Sequence, residues 1–200
     1  MSVTFDLDGE HRTNAYQILS SLITPRPIAW VSTLNEDGSV NAAPFSFFNV
    51  FGSRPPMIVF APGNKGPGEL KDTARNIKRQ KQFVVHMVDQ PMLELMNHSA
   101  ATLPYEIPEL SAEHFTASDT IDVPRIAAAP VAMECSEHSC LEIGQNRLII
   151  GLVHTVHVQD GIANPDDAKI NQAQYAPIGR MASPNWYCET TSIFQLDRPD

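Results

Sequence analysis

Residues 28–49 read IAWVSTLNEDGSVNAAPFSFFN. Ile28 to Leu34 is rich in β-branched and aromatic side chains, Asn35-Glu36-Asp37-Gly38 supplies turn-forming residues, and Val40 to Asn49 answers with a second β-rich run. Two such runs across an Asn/Asp/Gly turn predict an antiparallel hairpin. Upstream, Thr13 to Leu22 carries Ala15, Ile18, Leu19 and Leu22 at helical spacing, and Pro25 and Pro27 end that helix. Downstream, Met57 to Ala61 predicts a third strand after the breaker Ser53-Arg54-Pro55-Pro56. A helix follows from about Glu69 to Lys81, with Leu70, Ala74, Ile77 and Lys81 along one stripe and Lys71, Arg75 and Lys78 on the adjoining face. Phe83 to Val88 reads as a strand and Pro91 to Ala100 as a helix.

Thr102 to Pro130 holds Pro104, Pro108, Pro124 and Pro130 with little periodicity, so it reads as a long ordered loop. The longest strands are Val131 to Ile143 and Arg147 to Val158, joined by Gly144-Gln145-Asn146. Leu148, Ile150, Leu152, Val156 and Val158 are assigned to one face of the second. The sum is about six strands, mostly in hairpins, with helical additions. Parallel strands need a crossover of a dozen or more residues each, and the chain has few segments of that kind, so an antiparallel barrel is expected. The prolines are scattered and no repeat is visible, which predicts a single domain over residues 1–200.

Composition removes other classes. The formal net charge of −9 argues against a broad nucleic-acid surface. The longest proline-free apolar run, Leu148 to Val153, is far too short to cross a bilayer, and the acidic start MSVTFDLDGEHR lacks an apolar leader core. Three cysteines, Cys135, Cys140 and Cys188, form no CxxC pair and fit a reducing compartment. A cytoplasmic protein with no membrane partner is expected.

No GxSxG, HExxH, GxxxxGK[ST] or EF-hand loop occurs. The loop Gly63-Asn64-Lys65-Gly66-Pro67-Gly68 matches neither phosphate-loop spacing, yet it introduces the Lys71 helix. A helix start offers free N–H groups and a positive dipole end, so Lys71, Thr73 and Arg75 beside it make an anion pocket, unless they are simply a solvated basic face. The strands of the opening stretch mix Trp30, Phe47 and Phe48 with Ser32, Thr33, Ser46 and Asn49. That mixture can wall a flat heteroaromatic ligand or be ordinary sheet material. His154 and His157, three apart on a strand, point to opposite faces and disfavour a shared metal. Cys135 is expected to face away from His138 and Cys140, and His86 to be a hydrogen-bonded core residue. No metal site is expected.

The succession PRPIAWVST, NAAPFSFFNVFGSRPPMIVF, GPGELKDTARNI and FVVHMV, followed more loosely by PRIAAAPVAMEC, LIIGLVHTVHV and APIGRM, resembles the flavin reductase-like family of the FMN-binding split-barrel superfamily. The resemblance covers most of Ala15 to Arg180 and implies a six-stranded antiparallel split β-barrel, a homodimer, and FMN as cofactor. On this chain it places the ring against Trp30, Val31, Ser32 and Thr33 and against Phe47, Phe48 and Asn49, with the phosphate near Ser46, Lys71 and Thr73. It implies a flavin reductase taking hydride from NAD(P)H and passing electrons to free flavin, oxygen or a partner monooxygenase. No protein acid or base is required, so no catalytic residue is expected. The other readings are an FMN-holding electron carrier that does not react with NAD(P)H and a protein-binding module with a vestigial site. The Thr102 to Pro130 loop is expected to be a lid over the ring. Arg180 is followed by Met181-Ala182-Ser183-Pro184 where the family often has two glycines and an aromatic residue, so neither Trp186 nor Tyr187 is assigned.

Overall fold

In the computed structural model, which describes residues 1–105 and 107–199, the opening stretch forms β1 (Ala29–Leu34) and β2 (Val40–Phe45), paired antiparallel from Ala29↔Phe45 to Leu34↔Val40. The chain leaves the hairpin at Ser46-Phe47 and starts a new strand, β3 (Phe48–Ser53), which pairs with β4 (Pro56–Phe60). The helix α2 (Asp72–Gln80), β5 (Gln82–Met87), the short helix α3 (Leu93–His98), β6 (Val131–Ile143) and β7 (Asn146–Val158) follow, after a first helix α1 (Ala15–Leu22). One seven-stranded antiparallel sheet results, in the order β2-β1-β5-β6-β7-β4-β3.

The sheet thus has seven strands where a six-stranded split barrel was expected. Val40 to Asn49 is two strands, and they occupy opposite edges of the sheet. Because only Ser46 and Phe47 separate them, and a residue spans at most ~3.6 Å, the sheet must curl until its edges nearly meet. They are joined there by the chain and do not pair as a ladder, so the curled sheet stays split along that seam.

Strand alternation then buries both faces. Ala29 and Val31 of β1, Phe45, Phe60, Phe83, Val85, Cys135 and Ile149 fill the inside of the curl, where Ile77 of α2 joins them. Ile28 and Trp30 point the other way, into a second cluster with Met92, Met96, Ile126 and Ile178. Helix α2 stops at Lys81, whose left-handed φ of 64° turns the chain into β5. Glu69 and Leu70, expected in that helix, instead bridge back to Asn64–Gly66.

Two assignments on the long hairpin are also corrected. Leu152 lies opposite Ser136, but Val156 and Val158 lie opposite Met133 and Val131, because the register slips at His154. An extra residue reverses the alternation, so Leu148, Ile150 and Leu152 do not share a face with Val156 and Val158. The buried row of β7 is Arg147, Ile149 and Gly151. A second slip at His138 returns Cys140 to the face of Cys135, and both touch the inner core.

Gly151 marks the tightest point of that core. A Cβ there would lie 2.5 Å from Cζ of Phe83, which is fully buried. We expect Gly151→Ala to lower unfolding free energy by about 1–3 kcal/mol in urea titration, with part of the loss recovered in the Gly151→Ala/Phe83→Leu double variant.

Candidate functional site

The seam opens onto a cleft lined by Pro44, Phe45, Ser46 and Phe47 from the β2–β3 link, by Tyr16, by Ile28 and Met96 as a floor, and by Arg180 and Tyr187 from the C-terminal segment. It is open to solvent, and the space between its walls, open solvent included, is about 1060 Å³. Tyr16 and Phe47 meet with ring centroids 6.0 Å apart, and the Arg180 guanidinium lies 4.5 Å above the Tyr187 ring. A second pocket of about 550 Å³, lined by Asn41, Lys65, Lys71, Asp72, Thr73, Thr102, Leu103 and Glu109 among others, is contiguous with it, sharing Pro44, Phe45, Lys71 and Ala100. One trough therefore runs from an aromatic end to a polar end at the start of α2, with Lys71 at the junction.

Helix α2 begins at Lys71, whose extended backbone makes it the N-cap residue. Its ammonium rests 5.4 Å from the Phe45 ring centroid, and burial, followed by the nearby Lys65, pushes its pKa down. No ion pair among the described residues engages Lys71, whereas Lys65 is held by Asp72 at 2.9 Å. A desolvated, unpaired ammonium at a helix start is a site that an anion would stabilise.

Thr73, 1% exposed, lines the same pocket. Its Oγ1 accepts from Asn41 Nδ2 at 3.0 Å, so its own proton is available to the pocket. Asn41 also donates to Thr33 at 3.2 Å, Asn76 donates to Thr33 and Asn35, and Tyr105 donates to Asn76 at 2.9 Å. This buried network ties the first turns of α2 to β1 and β2. Thr33 thus positions the helix start and is itself fully buried.

Trp30, Val31, Ser32 and Thr33, expected to wall a ring, all have side chains that are 0% exposed. Trp30 donates to Ser99 Oγ at 2.8 Å and packs one layer behind the cleft floor, while Ser32 donates to the Pro124 carbonyl at 2.7 Å. Ser46 and Phe47 do line the cleft. Arg26 Nε donates to Ser46 Oγ at 3.3 Å, and the same guanidinium clamps the carbonyls of Ser20, Ile23 and Met181. Phe48 and Asn49 line a separate apolar groove with Met57, Met87 and Met133. The structure therefore brings together Ser46, Phe47, Lys71 and Thr73 and sends the other six elsewhere.

The Thr102 to Pro130 segment is also reassigned. Apart from Glu106, which lies outside the described residues, it is anchored by Tyr105 to Asn76, by Glu109 to Ala42 and by Ile126 to His86. Its Thr102, Leu103 and Glu109 cover the helix-start end, and none of its described residues lines the aromatic end. Tyr16, Lys65, Glu109, Arg180 and Tyr187 were not identified from the sequence. Arg180 had a signal in the GRM of the late block, and Lys65 in the glycine-rich loop. Tyr187 faces the cleft, while Trp186 is 68% exposed and gives only its carbonyl to Arg180.

His86 is the core residue expected. Its Nδ1 is 2.8 Å from the Trp30 carbonyl and its Nε2 accepts from Ile126 N–H at 2.8 Å. That pattern requires the neutral ring, and burial lowers its pKa to about 4. His154 and His157 have different partners, Ser136 and Glu134. Asp119, Glu134 and His157 place one ligand atom each within 4.8 Å of one another. The Glu134 oxygens already accept from Asp119 N–H, Thr120 N–H, the Thr120 hydroxyl and His157.

Comparison with known proteins agrees with this fold. A protein of Deinococcus radiodurans is 35% identical over 201 residues, covering 97% of this chain and 88% of its own length. Among solved structures, the Pseudomonas fluorescens 2-nitrobenzoate 2-nitroreductase NbaA is 34% identical with a TM-score of 0.88, covering 98% of this chain and 96% of that one. Nitrilotriacetate monooxygenase component B from Bacillus cereus is 30% identical with a TM-score of 0.91, covering 98% and 99%. The flavin reductase like domain model matches residues 20–178, the span that builds the split sheet and the helix-start end of the trough, and this chain belongs to that family.

Proposed function

We propose that the trough holds FMN and that the chain is a flavin reductase drawing hydride from NAD(P)H. The single observation behind this reading is the continuity of an aromatic end and a cationic helix start through Lys71. FMN has a flat ring and a terminal phosphate, and the residues present fit both. Phe47, Tyr16 and Tyr187 offer faces for stacking, and the unpaired Lys71, the Thr73 hydroxyl and the α2 N-terminus offer an anion site.

Bound FMN would supply a hydride acceptor, which the protein's side chains lack. The chain's own contribution is orientation and polarity. Lys71 and Thr73 fix the tail, the Asn41–Thr33–Asn76 network keeps that helix start rigid, and the floor of Ile28 and Met96 keeps water from beneath the ring. Arg180 lines the cleft and would lend positive charge to a ring held there.

Further support comes from named relatives. Similarity to a component B of a monooxygenase fits delivery of reduced flavin to a partner oxygenase, and similarity to a nitroreductase fits a reducing role. Three free cysteines fit the cytoplasm. Among the described residues no helix is long and apolar enough to cross a membrane. Exposed Val50, Phe51, Leu141 and Ile143 on the sheet fit burial in a homodimer. Anaerobic mixing of FMN-loaded protein with NADH and with NADPH tests the activity. We expect flavin absorbance to bleach on the turnover timescale with at least one of them. A flavin that stays oxidised with both would leave the electron carrier as the better reading.

A further inference from the structure

Glu109 reaches the helix-start end of the trough from the covering segment, and Lys65, Lys71, Asp72 and Glu109 are the charged groups lining that pocket. Glu109 Oε2 accepts the Ala42 N–H at 3.1 Å, on the outer edge of β2. Burial raises the Glu109 pKa above the ordinary carboxylate value; the Ala42 N–H and Lys65 oppose this and Asp72 adds to it. Lys65 and Asp72 are paired with each other, while no ion pair among the described residues engages either Lys71 or Glu109.

The lining therefore amounts to two ammonium groups and two carboxylates, formally neutral. A phosphate monoester carries nearly two negative charges at neutral pH, with its second pKa near about 6. Docked here, it brings its acceptor oxygens toward another acceptor. Two such groups repel until a proton lies between them.

On the reading that a flavin phosphate docks at Lys71, we propose that Glu109 makes this docking proton-linked, the carboxyl and the phosphate sharing one proton taken from solvent. Glu109 thereby selects a phosphate monoester, which can carry that proton, and ties flavin affinity to pH. At low pH the proton is already present on the phosphate or on Glu109. As pH rises through the second phosphate ionisation the proton must be drawn from water, so affinity falls by up to about tenfold per pH unit. Riboflavin lacks the phosphate and should show no such slope.

The test is fluorescence titration of FMN and riboflavin into the wild type and Glu109→Gln between about pH 6 and about pH 8. The glutamine keeps the acceptor for Ala42 and removes the charge. We expect the wild type to lose FMN affinity as pH rises while riboflavin stays level. Glu109→Gln should flatten the FMN profile and bind FMN about tenfold tighter than wild type at the alkaline end. Equal or weaker FMN binding by the variant there, with the wild-type slope retained, overturns the proposal and leaves the flavin reading intact. A parallel loss of riboflavin affinity would make Glu109 an acceptor for ribityl hydroxyls and would overturn the proposal in the same way. Failure of the wild type to bind either flavin overturns both. Calorimetry of the wild type in two buffers of different ionisation enthalpy gives an independent readout: uptake of about one proton per FMN at the alkaline end is expected, none with riboflavin. Zero uptake with FMN overturns the proposal without any variant.

Discussion

Lys71→Ala combined with Thr73→Ala weakens FMN by about 2–4 kcal/mol, roughly thirty- to a thousandfold in Kd, when measured by fluorescence titration. The larger share belongs to Lys71. Its ammonium is desolvated and engages no ion pair among the described residues, so a phosphate replaces a poor environment with a charge-assisted hydrogen bond. Thr73 adds one neutral hydrogen bond from a hydroxyl that Asn41 holds in place. Removing that hydroxyl also leaves one Asn41 proton unpartnered, so the variant is compared with Thr73→Ser, which keeps the acceptor. We expect Thr73→Ser to bind FMN within a few-fold of wild type. Unchanged affinity of the double alanine variant would remove the phosphate from this end of the trough.

The second large effect lies away from the trough, at Glu134. This carboxylate is 0% exposed and accepts four hydrogen bonds, from two backbone N–H groups, the Thr120 hydroxyl and His157. It fastens the Asp119–Thr120 stretch to β6 and β7. Glu134→Ala strands those donors and is expected to cost about 3–5 kcal/mol in urea unfolding at neutral pH. Burial favours protonation of Glu134, but the four donors outweigh it and hold the pKa down to about 2, against 4.5 for a free glutamate. A depressed folded-state value means that the stabilisation is present above pH 4.5 and drains away as pH falls toward 2. The acid limb of wild-type unfolding should therefore be steep between those values, and Glu134→Gln should flatten it. An unchanged acid limb in the glutamine variant would rule out this carboxylate as its source.

How much of this could be read from the sequence depends on how local each signal is. The long hairpin was legible almost to the residue, because thirteen-residue strands around Gly144 leave little choice of turn. The break at Ser46-Phe47 was not, since the β-rich pattern runs through it unbroken and only the closing of the sheet decides where the chain changes edge. The bulges at His138 and His154 were hidden for the same reason: they answer to the partner strand and leave no local mark. Lys71 and Thr73 were legible because a helix start has a fixed chemistry. Trp30 was ambiguous because an aromatic in a strand serves a core as readily as a ligand, and its indole N–H found Ser99 sixty-nine residues away. Glu109 and Glu134 gave no sign, as neither a carboxylate on a proline-rich stretch nor one in a strand reveals which backbone donors it will meet.

The two-residue link that carries the chain from one sheet margin to the other also limits how the molecule can move. Parting that seam means drawing apart strands that are each zipped to neighbours on their far side, so it must be shared by the whole sheet's twist. The crevice can widen more readily on its other side, where Tyr16, Arg180 and Tyr187 belong to no strand of that sheet.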